Sequence, residues 1–337
     1  MKKKNYEIGV DLGTANILVY VKGRGIVFDE PSIVAFDRKT NKIIALGKAA
    51  SEMLGKEHDK IKIVKPLEGG VIADFDATKA ILESVVDKLK FDNIDIGKTT
   101  MLICCPSEMT TTERKALKDL GSKLKIKDVF VEQEVKAGAI GAGIDIFSPR
   151  GSLLVDIGGG STDIGILSLG DIVIWDSVRV AGKYIDKAIA KYVKYKYGMV
   201  IGENTAEKIK VNLGTLRKEL SKDKEYQFGG LSMRTNLPGK ISIKQSEVRM
   251  ILLDCFDAIT TKVLRLLQET PPELAADIFE DGIVINGGGS LIDGVGEYFE
   301  IATGLKVRVS NNPLSSIAEG TKYLLKNRGN YLVKVVD

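Results

Sequence analysis

The chain encodes two related α/β lobes with a cleft between them. A strand, glycine turn, strand signature occurs at Asp11 and again at Asp156, about 145 residues later, as an internal repeat does. Apolar runs of strand length alternate with helical periodicities, which predicts α/β layers. A length of 337 residues is too great for one compact core and suits about two.

The first strand is Tyr6-Glu7-Ile8-Gly9-Val10-Asp11, and Ile17-Leu18-Val19-Tyr20-Val21 returns from it after Gly13-Thr14, which reads as a β-hairpin. Residues 31–70 are charged and turn-rich, and predict a small subdomain inserted into the first lobe. Ile81, Leu82, Val85, Val86 and Leu89 recur at helical spacing on a helix ending near Lys90, and Met101-Leu102-Ile103-Cys104 is a strand. The first lobe is expected over 1–146, with a core of 1–30 and 71–146. Ser152–Asp156 and Ile164–Leu169, around Gly158-Gly159-Gly160-Ser161-Thr162, restart the pattern. A second insertion, 183–245, carries turn signals at Gly229-Gly230 and Leu237-Pro238-Gly239. Val248, Ile251, Leu252, Cys255, Ile259, Val263 and Leu266 then mark one face of a long helix, and Gly282-Ile283-Val284-Ile285 a strand. The second lobe is expected over 147–337, with a core of 147–182 and 246–337.

Composition narrows the chemistry. Apolar residues make up 44% and charged ones 28%, with 8 Pro against 35 Gly, the profile of a folded chain. No apolar run is long enough to cross a bilayer, and the start lacks a signal peptide's apolar stretch, so the expectation is a protein of the cell interior. Cys104, Cys105 and Cys255 have no metal-type spacing and read as buried thiols. The one histidine, His58, sits in a charged stretch, which excludes a Ser-His-Asp triad and a multi-histidine metal site. A spread net charge of +4, with few aromatics near the basic residues, argues against nucleic acid.

A P-loop is absent: Gly97-Lys98-Thr99 has its tail, but Asp92 stands where the first glycine belongs. The two glycine turns offer another design. In Asp11-Leu12-Gly13-Thr14-Ala15-Asn16 and in Asp156-Ile157-Gly158-Gly159-Gly160-Ser161-Thr162-Asp163, missing side chains let backbone N–H groups approach phosphate oxygens. Between them the turns would pinch a triphosphate. Asp11 and Asp156 would hold a hydrated Mg²⁺, which needs only one or two carboxylates. A third turn, Asn286-Gly287-Gly288-Gly289-Ser290, would let backbone lie flat against adenine. Each turn alone is better explained by ordinary turn chemistry, since turns need glycine anyway; three in this order, two of them internal copies, are specific.

That order resembles the actin, sugar-kinase and heat-shock-chaperone superfamily, and within it the chain is similar to the MreB family of bacterial actin-like proteins over nearly its whole length. The stretches that carry the likeness are Asp11–Asn16, Tyr20–Gly23, Asp29–Ser32, Gly70–Phe75, Ala139–Gly143, Asp156–Gly160, Ala206–Lys210, Pro271–Ala275 and Gly287–Gly289. The resemblance implies an actin-like two-lobed fold and ATP hydrolysis coupled to polymerisation, with ATP or ADP and Mg²⁺ as ligands. It further implies protofilaments lying on the inner face of the cell membrane, with other cytoskeletal or morphogenesis proteins as partners. By matching position, Glu134, nine residues before Gly143, would position the attacking water. Ser161 would help hold it, and Glu207 and Lys210 would face ribose and adenine. An exposed charged helix face is the competing reading of the last two.

Three departures stand out. Gln133-Glu134-Val135-Lys136 replaces the family's Glu-Glu-Pro-Met, Asp163 replaces a common Glu, and an N-terminal amphipathic helix is not seen. In this the chain resembles MreB paralogues of wall-less bacteria. Phe91, Ile94 and Ile96 recur where relatives dip an apolar loop into lipid, although a staple packing the helix end explains them equally. Lys2-Lys3-Lys4 and the tail from Tyr323 to Lys334 would add basic contacts to an anionic surface. The alternatives are a small-molecule kinase on the same fold, for which no first-lobe catalytic Asp motif is visible; a chaperone ATPase, which would carry a further peptide-binding domain; and a filament protein with little ATPase activity.

Overall fold

The computed structural model describes residues 5–327. Lys2, Lys3 and Lys4, and the tail from Arg328 through Tyr331 to Lys334, lie outside the described residues.

Two five-stranded sheets share one topology. In the first, Tyr6–Leu12, Asn16–Val21 and Gly25–Pro31 form an antiparallel meander; Thr99–Cys105 runs parallel to Tyr6–Leu12, and Asp128–Gln133 parallel to Thr99–Cys105. In the second, Ser152–Ile157, Thr162–Ser168 and Asp171–Val178 form the meander, with Ile283–Asn286 and then Val307–Val309 added in parallel. The sequence repeat is therefore a repeat of sheets. Asp11 and Asp156 occupy the same place in each, one residue before the end of the opening strand. Strands covered on both faces read as continuous apolar runs, and Thr99–Cys105 is buried at every position.

Each five-stranded sheet is interrupted in the chain, after its third strand, by an inserted small sheet. Val34–Asp37, Ile43–Leu46 and Ile61–Val64 form the first. Met199–Val200, Glu225–Ser232 and Pro238–Lys244 form the second, with helices Gly182–Tyr197 and Glu203–Leu213 beside it. Gly229 and Gly230, expected in a turn, lie within a strand; there a Cβ on Gly230 would come within 2.7 Å of the Val200 carbonyl, so close strand approach explains the glycine. The helices predicted from periodicity span Phe75–Phe91 and Gln245–Gln268, with every predicted core position buried. Asp74 caps the first, accepting from the Ala77 N–H at 2.9 Å.

The membrane-loop expectation is corrected for two of its three residues. Ile94 and Ile96 are 3% and 6% exposed and belong to the first sheet's core, where the Ile94 N–H closes onto the Leu89 carbonyl. They staple the end of Phe75–Phe91. Phe91 alone faces outward, 81% exposed, with the Lys88 ammonium 5.4 Å from its ring centre. Among the described residues no helix is long and apolar enough to cross a membrane.

The two sheets are joined by exchanged helices. Glu134–Gly141 follows the last strand of the first sheet yet lies on the second, with Val135 against Gly165; a Cβ on Gly165 would come within 2.5 Å of Val135 Cγ1. Ser316–Lys326 follows the second sheet yet lies on the first, with Thr321 filling the space a side chain on Gly9 would need. Where these helices cross, Gly141 faces the Ser316 carbonyl and Gly320 the Ala137 carbonyl, both so closely that any Cβ would overlap backbone. Leu102, Val135, Leu154, Val284 and Leu324 form a shared core around the crossing.

Because overpacking typically costs ~1–3 kcal/mol, and more where backbone is the obstacle, Gly141→Ala and Gly320→Ala are each expected to lower the melting temperature clearly. Gly229→Ala, exposed within a strand and with its Cβ position 3.8 Å from its nearest neighbour, the Gly239 carbonyl, is the control and should leave it nearly unchanged. Equal melting of all three in differential scanning calorimetry would contradict the crossing as the tight point.

Candidate nucleotide site

The exchanged helices aim the ends of both opening strands at each other. In the first turn a Cβ on Gly13 would sit 2.6 Å from the Asn16 carbonyl, and Asn16 Nδ2 donates to Asp29 at 3.0 Å. In the second, the Gly158 N–H donates to the Ser161 carbonyl at 3.0 Å. The two turns touch: a Cβ on Gly159 would lie 2.7 Å from Ala15 Cβ, and one on Gly160 2.6 Å from Thr14 Oγ1. A phosphate entering between them has to part these contacts, so occupancy and lobe spacing are mechanically linked.

The third turn lies against the second hairpin. Gly287, at φ +78°, and Gly289 pack on Asp156 and Ile157 with no room for a Cβ, and Ser290 Oγ closes the turn by donating to the Gly287 carbonyl at 2.7 Å. Gly288 is less confined, its Cβ position 3.4 Å from Leu314. Glu207 and Lys210 share helix Glu203–Leu213. Lys210 pairs with Asp186 at 2.8 Å and reaches the Gly182 carbonyl behind the second turn, while Glu207 is exposed. The chain after that helix is tied to the third turn by Thr215 and Arg217 on Asp293. Thr162 is a correction: its hydroxyl is buried and donates to the Val180 carbonyl at 2.7 Å, so this side chain braces the hairpin instead of facing a ligand.

Four carboxyls are buried at the junction: Asp11, Glu134, Asp156 and Asp163. Burial, reinforced by Asp156, pushes Asp11 up to about 8, and Asp11 Oδ1 has no hydrogen-bond partner. Burial pushes Asp156 up to about 7, against the opposing hydrogen bond from Asn286 Nδ2 at 2.7 Å; Asn286 Oδ1 in turn accepts from Ser316 at 2.8 Å. Glu134 is raised well above the usual carboxylate range by burial, then by Asp163, Asp156 and Asp11. Asp163 is also raised by burial, and lies within hydrogen-bonding reach of Glu134. Ser161 donates to Asp163 Oδ2 at 2.9 Å, leaving its own oxygen able to accept from a water.

A cluster of this kind, short of positive charge and holding an unpartnered carboxylate oxygen, fits a divalent cation. Among the described residues no three acidic, His or Cys side chains converge into a direct ligand set. Magnesium suits that arrangement, since it keeps several of its own waters and uses one or two carboxylates.

The remodelled segment at Glu134 has a structural account. Val135 fills the space over Gly165, and Lys136, 4% exposed, spans Glu132 at 3.3 Å and Asp171 at 2.8 Å, tying the two sheets together. Asn286 was not singled out for the site; the signal for it was its place before the third glycine run, in parallel register with Asp156. Lys183, which contacts both glycine turns, has no sequence signal beyond following Gly182.

Duplicated sheets, exchanged helices and paired glycine turns at the strand ends define an actin-like protein with its functional cleft between the lobes. The sequence matches the MreB/Mbl protein family model over residues 5–332. It is 42% identical over 321 residues to the cell shape-determining protein Mbl of Bacillus subtilis, covering 95% of this chain and 96% of that one. To the cell shape-determining protein MreB of Escherichia coli it is 36% identical over 318 residues, covering 93% and 91%. The chain belongs to the MreB/Mbl family. Crystal structures of MreB5 of Spiroplasma citri superpose with a TM-score of 0.92: one bound to ADP, at 41% identity over 97% of this chain and 99% of that one, and one bound to AMPPNP, at 42% over 97% and 98%.

The raised carboxyls set a pH dependence. Unfolded aspartates ionise near 4, whereas folded Asp11 and Asp156 keep protons to about 8 and about 7. Between those limits folding takes up protons, so stability falls as pH rises. The nucleotide- and magnesium-free chain should melt lower at about pH 7.5 than at about pH 5.5, and Asp11→Asn should flatten that slope. Thermal melts in which the slope is unchanged by Asp11→Asn would contradict the assignment.

Proposed function

We propose that this chain is an ATP-binding and ATP-hydrolysing bacterial actin that polymerises into membrane-associated filaments governing cell shape. Its units are a first lobe over 1–146 and a second over 147–337, with subdomains inserted at 31–70 and 183–245. The observation that carries the reading is the buried carboxyl cluster, short of positive charge and set beneath two facing glycine turns. The adenine nucleotides in the MreB5 structures support it.

In this reading the backbone N–H groups of Gly13–Asn16 and Gly158–Gly160 hold the phosphates, with Asn16 itself braced on Asp29. Gly287–Ser290 supply the adenosine surface, with Glu207 and Lys210 on the other side. Magnesium, held by Asp11 and Asp156 through water, would neutralise charge on the phosphate oxygens. Glu134 and the Ser161 oxygen orient the attacking water. Phosphoryl transfer depends chiefly on placement and charge stabilisation, so a positioned water is the main demand on the chain. A filament protein with little ATPase activity is the second reading, favoured by one observation: Glu134 lies against Asp163, and a proton held between them weakens Glu134 as an acceptor from water.

Sedimentation with Mg-ATP in parallel with phosphate release, on the native chain and Glu134→Ala, tests this. Filaments with phosphate release that falls roughly a hundredfold or more in the variant are expected. Filaments without release in the native chain select the second reading, and no polymer in any nucleotide state contradicts both.

For the membrane, Phe91 is the one apolar residue of its loop available to lipid, and its full burial would contribute about 1.5–3 kcal/mol per copy. A filament multiplies that contact. Phe91→Ala should reduce pelleting of assembled protein with anionic liposomes; unchanged pelleting would remove this contact from the account.

A further inference from the structure

One residue outside the predicted set touches both phosphate turns. Lys183 opens the helix Gly182–Tyr197 of the second lobe. Its backbone N–H donates to the Gly159 carbonyl at 2.8 Å, next to Gly182 donating to Gly158 at 3.0 Å. Its ammonium crosses the cleft and donates to the Thr14 carbonyl of the first turn at 2.6 Å. A single residue thus ties the two turns, its side chain on the first and its backbone on the second.

We propose that Lys183 is a phosphate-contacting residue of the nucleotide site, exchanging the Thr14 carbonyl for the polyphosphate of a bound nucleoside di- or triphosphate. The inference rests on the nucleotide reading above and deepens it.

Charge favours the exchange. Two other lysines lie close by, and each has an acid: Lys65 pairs with Glu203 at 2.5 Å and Lys187 with Glu68 at 3.6 Å, both across the cleft. Lys183 has no carboxylate within ion-pair distance among the described residues; its only side-chain acceptor is the neutral Thr14 carbonyl. Its half-buried ammonium is lowered to about 8, by burial first and then by Lys65, with Glu203 and Glu68 opposing and Lys187 adding. A desolvated cation without a counter-ion, placed where the two anion-binding turns meet, gains more from a phosphate oxygen than from a carbonyl, because charge-assisted bonds are about twice as strong. Asp11 and Asp156 supply the cation's side of the site, and Lys183 answers phosphate charge from the opposite lobe to Asp11.

The exchange also couples ligand to lobe spacing. The cleft ion pairs at Lys65, Lys187 and Arg179–Glu108 are partly exposed, and such pairs hold weakly. Moving Lys183 from Thr14 to a bridging phosphate replaces a direct strap by one that passes through the nucleotide.

The test is calorimetric binding of Mg-ADP, Mg-AMPPNP and adenosine to the native full-length chain, Lys183→Met and Lys183→Arg, with circular dichroism to confirm folding. Loss of one charged hydrogen bond corresponds to roughly ten- to hundredfold in affinity. Lys183→Met is expected to weaken both phosphorylated ligands by that factor and to leave adenosine unchanged, with Lys183→Arg restoring most of the difference. If Lys183→Met weakens adenosine and Mg-ADP alike, Lys183 only holds the turns in place and the proposal is overturned; if Lys183→Met binds Mg-ADP as the native chain does, it is overturned too. Should the native chain bind adenosine but no phosphorylated ligand, or bind nothing, the nucleotide reading itself fails, which is a different result from a native chain that binds and a Met variant that binds equally.

Discussion

Two helices crossing glycine against backbone carry this molecule. Each sheet sends its closing helix onto the other sheet, so neither lobe completes its core alone, and the crossing at Gly141, Ser316, Gly320 and Ala137 leaves no room for a side chain. Everything at the cleft inherits its position from that point. The opening strands end facing each other because the helices beneath them are locked, and Glu134 stands at the start of one of those helices. The crossing is tightly packed, whereas the ion pairs across the mouth are partly exposed and contribute roughly 0–1 kcal/mol each. The lobes are therefore firmly joined at the base and loosely held at the mouth, which is the mechanical requirement for a cleft that opens to a ligand.

The cleft is electrostatically incomplete. Asp11, Glu134, Asp156 and Asp163 are buried together, with Asn286 the one uncharged side chain committed to relieving Asp156. Such a cluster lowers stability in proportion to its ionisation, a deficit that a bound cation and nucleotide would reverse. Lys136, the buried lysine close to it, is already engaged by Glu132 and Asp171 and serves to join the sheets. Function at this site and stability of the ligand-free chain pull in opposite directions, as they commonly do where charges are held out of water.

Much of the fold was legible because its signals are local. Asp11-Leu12-Gly13 and Asp156-Ile157-Gly158 are short, periodic and repeated, and apolar positions from Ile81 to Leu89 and from Val248 to Leu266 keep one face of a helix. What escaped depends on distance in sequence. For Ile94 and Ile96 a lipid loop and a helix-end staple fit the composition equally, because composition alone does not say whether an apolar residue after a helix folds back; a left-handed turn at Asn93 sends both into the core. Gly229 and Gly230 looked like a turn because glycine marks turns and close strand approaches alike. Thr162 lies in a phosphate-turn motif, yet strand pairing turns its hydroxyl towards Val180. Lys183 acquires meaning only once turns from both lobes meet, and Asn286 only once its strand pairs in register with Asp156, contacts distant in the chain.

A buried carboxyl cluster that holds a cation with a nucleotide must exchange protons when they bind. Titration calorimetry of Mg-ADP into the native chain near neutral pH, repeated in buffers of differing ionisation enthalpy, counts the protons exchanged on binding. Asp11 and Asp156, held up to about 8 and about 7 in the ligand-free protein, should ionise as the cation enters, so binding should release protons. Tight binding with no proton release, or with uptake, would contradict the account.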